Sequence, residues 1–93
     1  MSAKRAKRPK DNMTINIRFF ALARDLAQSG ASTIDAPDQS TVDTARIQIV
    51  AQFPALSRIE PRLATAVNQS YVSRDHVLTH GDELALIPPV SGG

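Results

Sequence analysis

The residues best suited to chemistry in this 93-residue chain are its last six, Pro88-Pro89-Val90-Ser91-Gly92-Gly93. Glycine has no side chain to bury and loses the most entropy on ordering, so Gly92-Gly93 serves no packing purpose. The pair supplies a thin thread ending in a carboxylate, able to enter an active site too narrow for any Cβ. That carboxylate is a poor electrophile until another enzyme activates it, typically as an acyl-adenylate. Gly92-Gly93 therefore reads as the working end of a carrier that one enzyme loads and another unloads. The competing explanation is a frayed terminus that ends in two glycines by chance. The strand-like run and the Pro-Pro pair ahead of it argue for the carrier.

Other chemically capable residues offer less. His76 and His80 are four apart in a polar, loop-like stretch with no ligand cluster nearby, so no metal site is expected. Asp82 and Glu83 are adjacent, and adjacent strand or turn carboxylates point apart, which fits a solvated turn better than an acid–base pair. The chain has no cysteine. That excludes disulfides, thiolate catalysis, iron–sulfur clusters and thiolate zinc sites, and it fits a cytoplasmic location. No apolar run approaches the ~20 residues that span a bilayer, and no hydrophobic segment follows the basic N-terminus as in a secretory signal.

The net charge of +2 hides an asymmetry. Residues 1–12 hold Lys4, Arg5, Lys7, Arg8 and Lys10 against Asp11, a balance of +4, whereas residues 13–93 carry −2. Residues 1–12 have no apolar cluster to pack and are expected to be a disordered basic extension. The extension lacks interleaved aromatics, so neither a nucleic-acid nor a membrane partner is expected.

The elements that would hold the tail follow from Met13 onward. Thr14 to Phe20 alternates, with Ile15, Ile17 and Phe19 on one face and Asn16 and Arg18 on the other, as in a half-buried strand. Ala21 to Ala27 has helix-forming composition over one or two turns, and Gly30 stops it. Ala31 to Ala36 predicts a second strand. Ser40 and Asp43 mark a helix start, Ser40 as the cap. Val42, Ala45, Ile49, Val50 and Phe53 follow helical spacing, with Arg46 at the edge of the stripe and Ile47 off it. Pro54 closes that helix, and residues 54–63 form an irregular connection. Ala64–Val67 and Tyr71-Val72 are short strands around an Asn68-Gln69-Ser70 turn, and His80-Gly81-Asp82 is another turn. Glu83 to Ile87 is the last strand, apolar on both faces and therefore central. Pro88-Pro89 ends its pairing.

An opening hairpin, one main helix and three short strands make an α+β fold of β-grasp, ubiquitin-like layout. Its mixed sheet has about four to five strands, with the first and last parallel at the centre. The expected organisation is the extension at 1–12, the domain at 13–87 and a flexible tail at 88–93.

Two segments carry a family resemblance. Arg18-Phe19-Phe20-Ala21, and Gly81-Asp82-Glu83-Leu84-Ala85-Leu86-Ile87 running into Pro88-Pro89-Val90-Ser91-Gly92-Gly93, closely resemble the small-subunit family of molybdopterin synthase, the MoaD/ThiS sulfur carriers. Val67-Asn68 followed by Tyr71 is similarly placed. The resemblance covers residues 13–93, and its helix is more β-branched than usual around Ile47 and Ile49. It implies a sulfur carrier that is not catalytic alone and binds no cofactor. An activating enzyme would use ATP to adenylate Gly93. A persulfide donor would convert the adenylate to a thiocarboxylate, with Gly92 clearing the channel walls. A large catalytic subunit, in a heterotetramer, would receive the tail and pass the sulfur to cyclic pyranopterin monophosphate. Phe20, Leu86, Pro88, Pro89, Val90 and Ser91 would face that subunit. Arg18 faces outward, either to solvent or to an acidic partner. The alternatives are a carrier for thiamine thiazole or another pathway, and a ubiquitin-like modifier joined to lysines.

Overall fold

The computed structural model describes residues 12–89. In chain order it contains β1 (Asn12–Phe19), α1 (Ala21–Ala27), β2 (Ala31–Pro37) and α2 (Val42–Gln52). Two 3₁₀ turns (Pro54–Arg58 and Glu60–Arg62) lead to β3 (Ala64–Val67), β4 (Ser70–Val72) and β5 (Glu83–Ile87). The strands form one mixed sheet in the order β2-β1-β5-β3-β4.

Alternation along β1 sets the core face. Met13, Ile15, Ile17 and Phe19 are buried, and β2 pairs antiparallel so that Ile34 and Ala36 lie opposite Ile15 and Met13. β5 runs parallel to β1, from Asn16 opposite Glu83 to Phe19 opposite Leu86, and antiparallel to β3 on its other side. This is the expected β-grasp arrangement. Val42, Ala45 and Ile49 of α2 join the strand residues in one buried cluster, together with Leu56 and Leu63 of the connection. Phe53 packs edge-on to Phe19, with ring centroids 5.1 Å apart. Ile47 is exposed, as the helical spacing requires.

Three details differ from the sequence expectations. Asn12 is the first residue of β1 and pairs with Pro37 rather than belonging to the extension. The cap of α2 is Thr41, whose Oγ1 accepts from the Thr44 N–H at 3.3 Å. Ser40 is buried, and its Oγ donates instead to the Pro37 carbonyl at 2.6 Å. The β4–β5 loop completes the capping. His76 and Arg74 carbonyls accept from the Val42 and Asp43 N–H groups at 2.9 and 2.8 Å.

The third difference is Arg46, which is only 3% exposed rather than at the edge of the stripe. The connection wraps over it and brings carbonyls that need donors. Arg46 Nη1 donates to the Leu63 carbonyl and Thr65 Oγ1, both at 2.9 Å. Its Nε donates to Glu60 Oε2 at 2.8 Å, and Nη2 donates to the Glu60 carbonyl. Guanidinium has five N–H groups in a rigid fork, so one side chain can pin α2, a 3₁₀ turn and β3 together. Arg74 extends the cluster, donating to Asp43 Oδ1 at 2.7 Å and Glu60 Oε2 at 2.8 Å. The Asp43 hydrogen bond, with support from Glu60, holds the Arg74 pKa above its ordinary value.

Candidate functional site

A carrier needs a rigid base for its tail, a point where pairing ends, and a surface to dock beside that point. β5 is the base, with paired strands on both sides. Its last pair is Ile87 opposite Ala64. Pro88 and Pro89 have no N–H to continue the ladder, and Pro89 is exposed where the chain leaves the sheet. The remaining expected tail residues, Val90, Ser91, Gly92 and Gly93, lie outside the described residues, as do residues 1–11.

Beside this exit the open sheet face carries a cleft of about 400 Å³. Ala66 and Ala85, opposite one another on β3 and β5, form its floor with Ile87. Two small side chains at adjacent positions leave the depression. Phe20 and Tyr71, 40% and 72% exposed, stand at its rim. Phe20 was expected on an exposed patch and is there. It follows the last β1 residue and occupies the N-cap position of α1. Ala21 then adopts φ +52°, turning the chain into the helix.

Leu86, expected on the same docking surface, is instead core, at 1% exposure. Pleating explains the correction. Leu84 and Leu86 point to the cluster with α2, while Glu83, Ala85 and Ile87 take the open face. The apolar residue that β5 contributes to the open face is Ile87.

Arg18 lies on the open face between the two possibilities raised for it. Its Nη1 is 3.2 Å from Glu83 Oε2, and its guanidinium carbon lies 5.5 Å from the centre of the Phe20 ring. Both side chains of the ion pair are well exposed, so it contributes about 0–1 kcal/mol. Its larger consequence is geometric, because it holds Phe20 and β5 in one surface. Asp82 and Glu83 point apart. Asp82 accepts from Asn68 Nδ2 at 2.9 Å and the Thr79 N–H at 2.8 Å, tying the β3–β4 turn to the start of β5. His80 Nδ1 accepts from the Thr14 N–H at 3.0 Å. Among the described residues, no three His, Cys, Asp or Glu side chains form a possible metal site.

Tyr71 is the rim residue that sequence reasoning did not single out. Its signal is the two-residue turn before it. Asn68 and Gln69 both have positive φ, 51° and 74°, as a type I′ hairpin requires. That turn sets Ala66 opposite Tyr71, which places the ring on the open face.

The arrangement contains a paired strand, a proline-terminated exit and an adjacent apolar cleft. It suits presentation of the tail to another protein's active site. A family model described as the ThiS family matches residues 17–93. The chain belongs to the ThiS family. Within it, the chain is 44% identical over 81 residues to the molybdopterin synthase sulfur carrier subunit of Escherichia coli, covering 85% of this chain and 99% of that one. Among solved structures it is similar to SAMP1 from Haloferax volcanii, with a TM-score of 0.79 and 31% identity, covering 86% of this chain and 99% of that one. It also matches a chain in the complex of subunits 1 and 2 of the molybdopterin-converting factor from Helicobacter pylori. There the TM-score is 0.65 and the identity 26%, over 87% of this chain and 100% of that one. No helix among the described residues of this ThiS-family chain is long and apolar enough to cross a membrane.

Proposed function

We propose that this ThiS-family chain is the sulfur carrier subunit of a molybdopterin synthase. The observation that carries the reading is its 44% identity to the Escherichia coli subunit of that name across nearly all of that protein. The Gly92-Gly93 ending supplies the chemistry. The Gly93 carboxylate attacks ATP in an activating enzyme, forming the acyl-adenylate and releasing pyrophosphate. A persulfide sulfur displaces AMP, and thiol reduction of the resulting acyl disulfide leaves a thiocarboxylate. That group is a better nucleophile than a carboxylate. The tail then enters a larger catalytic subunit and gives its sulfur to cyclic pyranopterin monophosphate.

The Helicobacter pylori complex of subunits 1 and 2 supports a large-subunit partner. The cleft beside Phe20 and Tyr71 is the docking surface, and Pro88-Pro89 lowers the entropy cost of presenting the thread. Glycines at 92 and 93 leave no Cβ to meet a channel wall.

Intact mass spectrometry tests the central step. Incubation with the activating enzyme, ATP, a persulfide donor and a thiol reductant should replace one oxygen of Gly93 by sulfur. Pyrophosphate release without that mass change would sink the sulfur-carrier reading. A second reading, a modifier joined to lysines through Gly93, is favoured by the similarity to SAMP1. It predicts isopeptide adducts on other proteins in the absence of a sulfur donor.

A further inference from the structure

A second concave apolar surface lies on the helical side of the domain. Ile47 and Val50 of α2 and Pro61 of the second 3₁₀ turn border a groove of about 230 Å³, walled by Arg46, Glu60 and Arg74. It shares no residue with the cleft beside the tail exit. Ile47 is 65% exposed. Isoleucine is a poorer helix former than alanine or lysine, so folding alone gives no reason for it at that position. A lone exposed apolar side chain is ordinary, but a concave apolar group with a charged rim marks an interaction site. The volume is below the about 300–1,000 Å³ of small-molecule pockets, and it suits a single anchoring side chain.

Charge defines the rim. Residues 42–62 hold Arg46, Arg58 and Arg62 against Asp43 and Glu60, and Arg74 joins them through its bonds to both carboxylates, a balance of +2. The remaining residues between 12 and 89 carry Arg18 and Arg24 against Asp25, Asp35, Asp38, Asp75, Asp82 and Glu83, a balance of −4. Arg46 and Arg74 both hold Glu60 Oε2 at 2.8 Å, which fixes the groove wall in advance and lowers the cost of ordering it on binding. Asp75, next to Arg74, accepts from Ser73 Oγ. Arg58 and Arg62 are exposed on the two turns, and among the described residues no carboxylate pairs with either. They are the cations left for a ligand, and guanidinium matches a carboxylate in a two-point contact. The groove has no aromatic ring on which a nucleic-acid base could stack.

We propose that this groove docks a short acidic segment of a partner protein, with one aliphatic side chain seated on Ile47, Val50 and Pro61 and carboxylates on Arg58 and Arg62. The open sheet face and the tail exit stay uncovered in such a complex, so the partner can hold the domain while the tail is engaged elsewhere. Binding here needs neither Gly93 nor its activation, and it stands or falls apart from the sulfur-carrier reading.

The test is an NMR titration of the full chain with capped peptides Asp-Glu-X-Glu-Asp, where X is leucine, isoleucine, methionine or alanine. Lys-Arg-Leu-Arg-Lys and a short oligothymidylate are the comparison ligands. The aliphatic acidic peptides should shift the Ile47 and Val50 signals. Alanine at the centre should weaken binding about tenfold, and added salt should weaken it further. Ile47→Gln and the double variant R58E/R62E should each remove the shifts with thermal unfolding unchanged, because all three side chains are exposed. No shift at Ile47 and Val50 with any aliphatic peptide at millimolar concentration would overturn the proposal. So would shifts centred on Phe20 and Tyr71, equal binding of the charge-reversed peptide, or tighter binding of the oligothymidylate.

Discussion

β5 presents two faces with different duties. On one, Leu84 and Leu86 are fully buried against the α2 side. On the other, Glu83, Ala85 and Ile87 are only partly covered and border a cleft beside the tail exit. The core face is closed by α2 and by the buried Arg46 cluster, and the open face is not covered by any element of the domain. Changes on the first face should therefore appear in stability and changes on the second in association, although the residues alternate along one five-residue strand.

The largest expected effect comes from neither face. Deleting Gly93 should abolish thiocarboxylate formation while leaving the melting temperature unchanged, because the thread lies beyond the last paired residue of β5. A loss of several degrees in thermal unfolding would mean that the tail packs on the domain.

Leu86→Ala and Phe20→Ala then form a matched pair. Leu86→Ala removes a buried side chain and should cost about 2–5 kcal/mol in denaturant unfolding. Phe20→Ala should change stability little and weaken binding to the large subunit about tenfold, as burying part of an aromatic ring would predict. The comparison fails if Phe20→Ala unfolds the domain with binding intact, or if Leu86→Ala folds normally and binds poorly.

Arg46→Ala probes the closure of the core face. It leaves the Leu63 and Glu60 carbonyls without their guanidinium donors and the Glu60 carboxylate with Arg74 but not Arg46. A destabilisation of about 3 kcal/mol is expected, and Arg46→Lys should recover only part of it, since an ammonium cannot reproduce the fork. Full stability in Arg46→Lys would contradict the role assigned to the guanidinium.

The smallest effect is expected at Ala21. Its φ of +52° costs an L-residue about 1 kcal/mol, so Ala21→Gly should be neutral or stabilising by less than that. A clear loss of stability in urea unfolding would show that the Ala21 methyl, rather than the backbone turn, matters where Phe20 leaves the strand.

Local patterns in the chain were sufficient for much of this. The period-two run from Thr14 to Phe20 identified Ile15, Ile17 and Phe19 as the core face of β1. The two-faced Glu83–Ile87 run identified a central strand, and the proline pair marked where it ends. These readings succeed because strand alternation and proline's missing N–H act within a few residues of themselves.

What the sequence did not disclose needed partners distant along the chain. Arg46 looked like an edge residue because its acceptors, Glu60, Leu63 and Thr65, lie 14 to 19 positions away. Ser40 looked like the cap until the chain fold assigned its hydroxyl to Pro37 and the capping to Thr41. Leu86 and Ile87 are equally apolar, and only the register against β1 and β3 decides which of them faces α2 and which faces the open cleft. Tyr71 became a rim residue by the same kind of decision, taken by a type I′ turn and the alanine across from it. The sequence by itself determined the central strand and the point where its pairing stops. Tertiary structure decided which surface lies beside that exit, because which side of a sheet is covered depends on what packs against it.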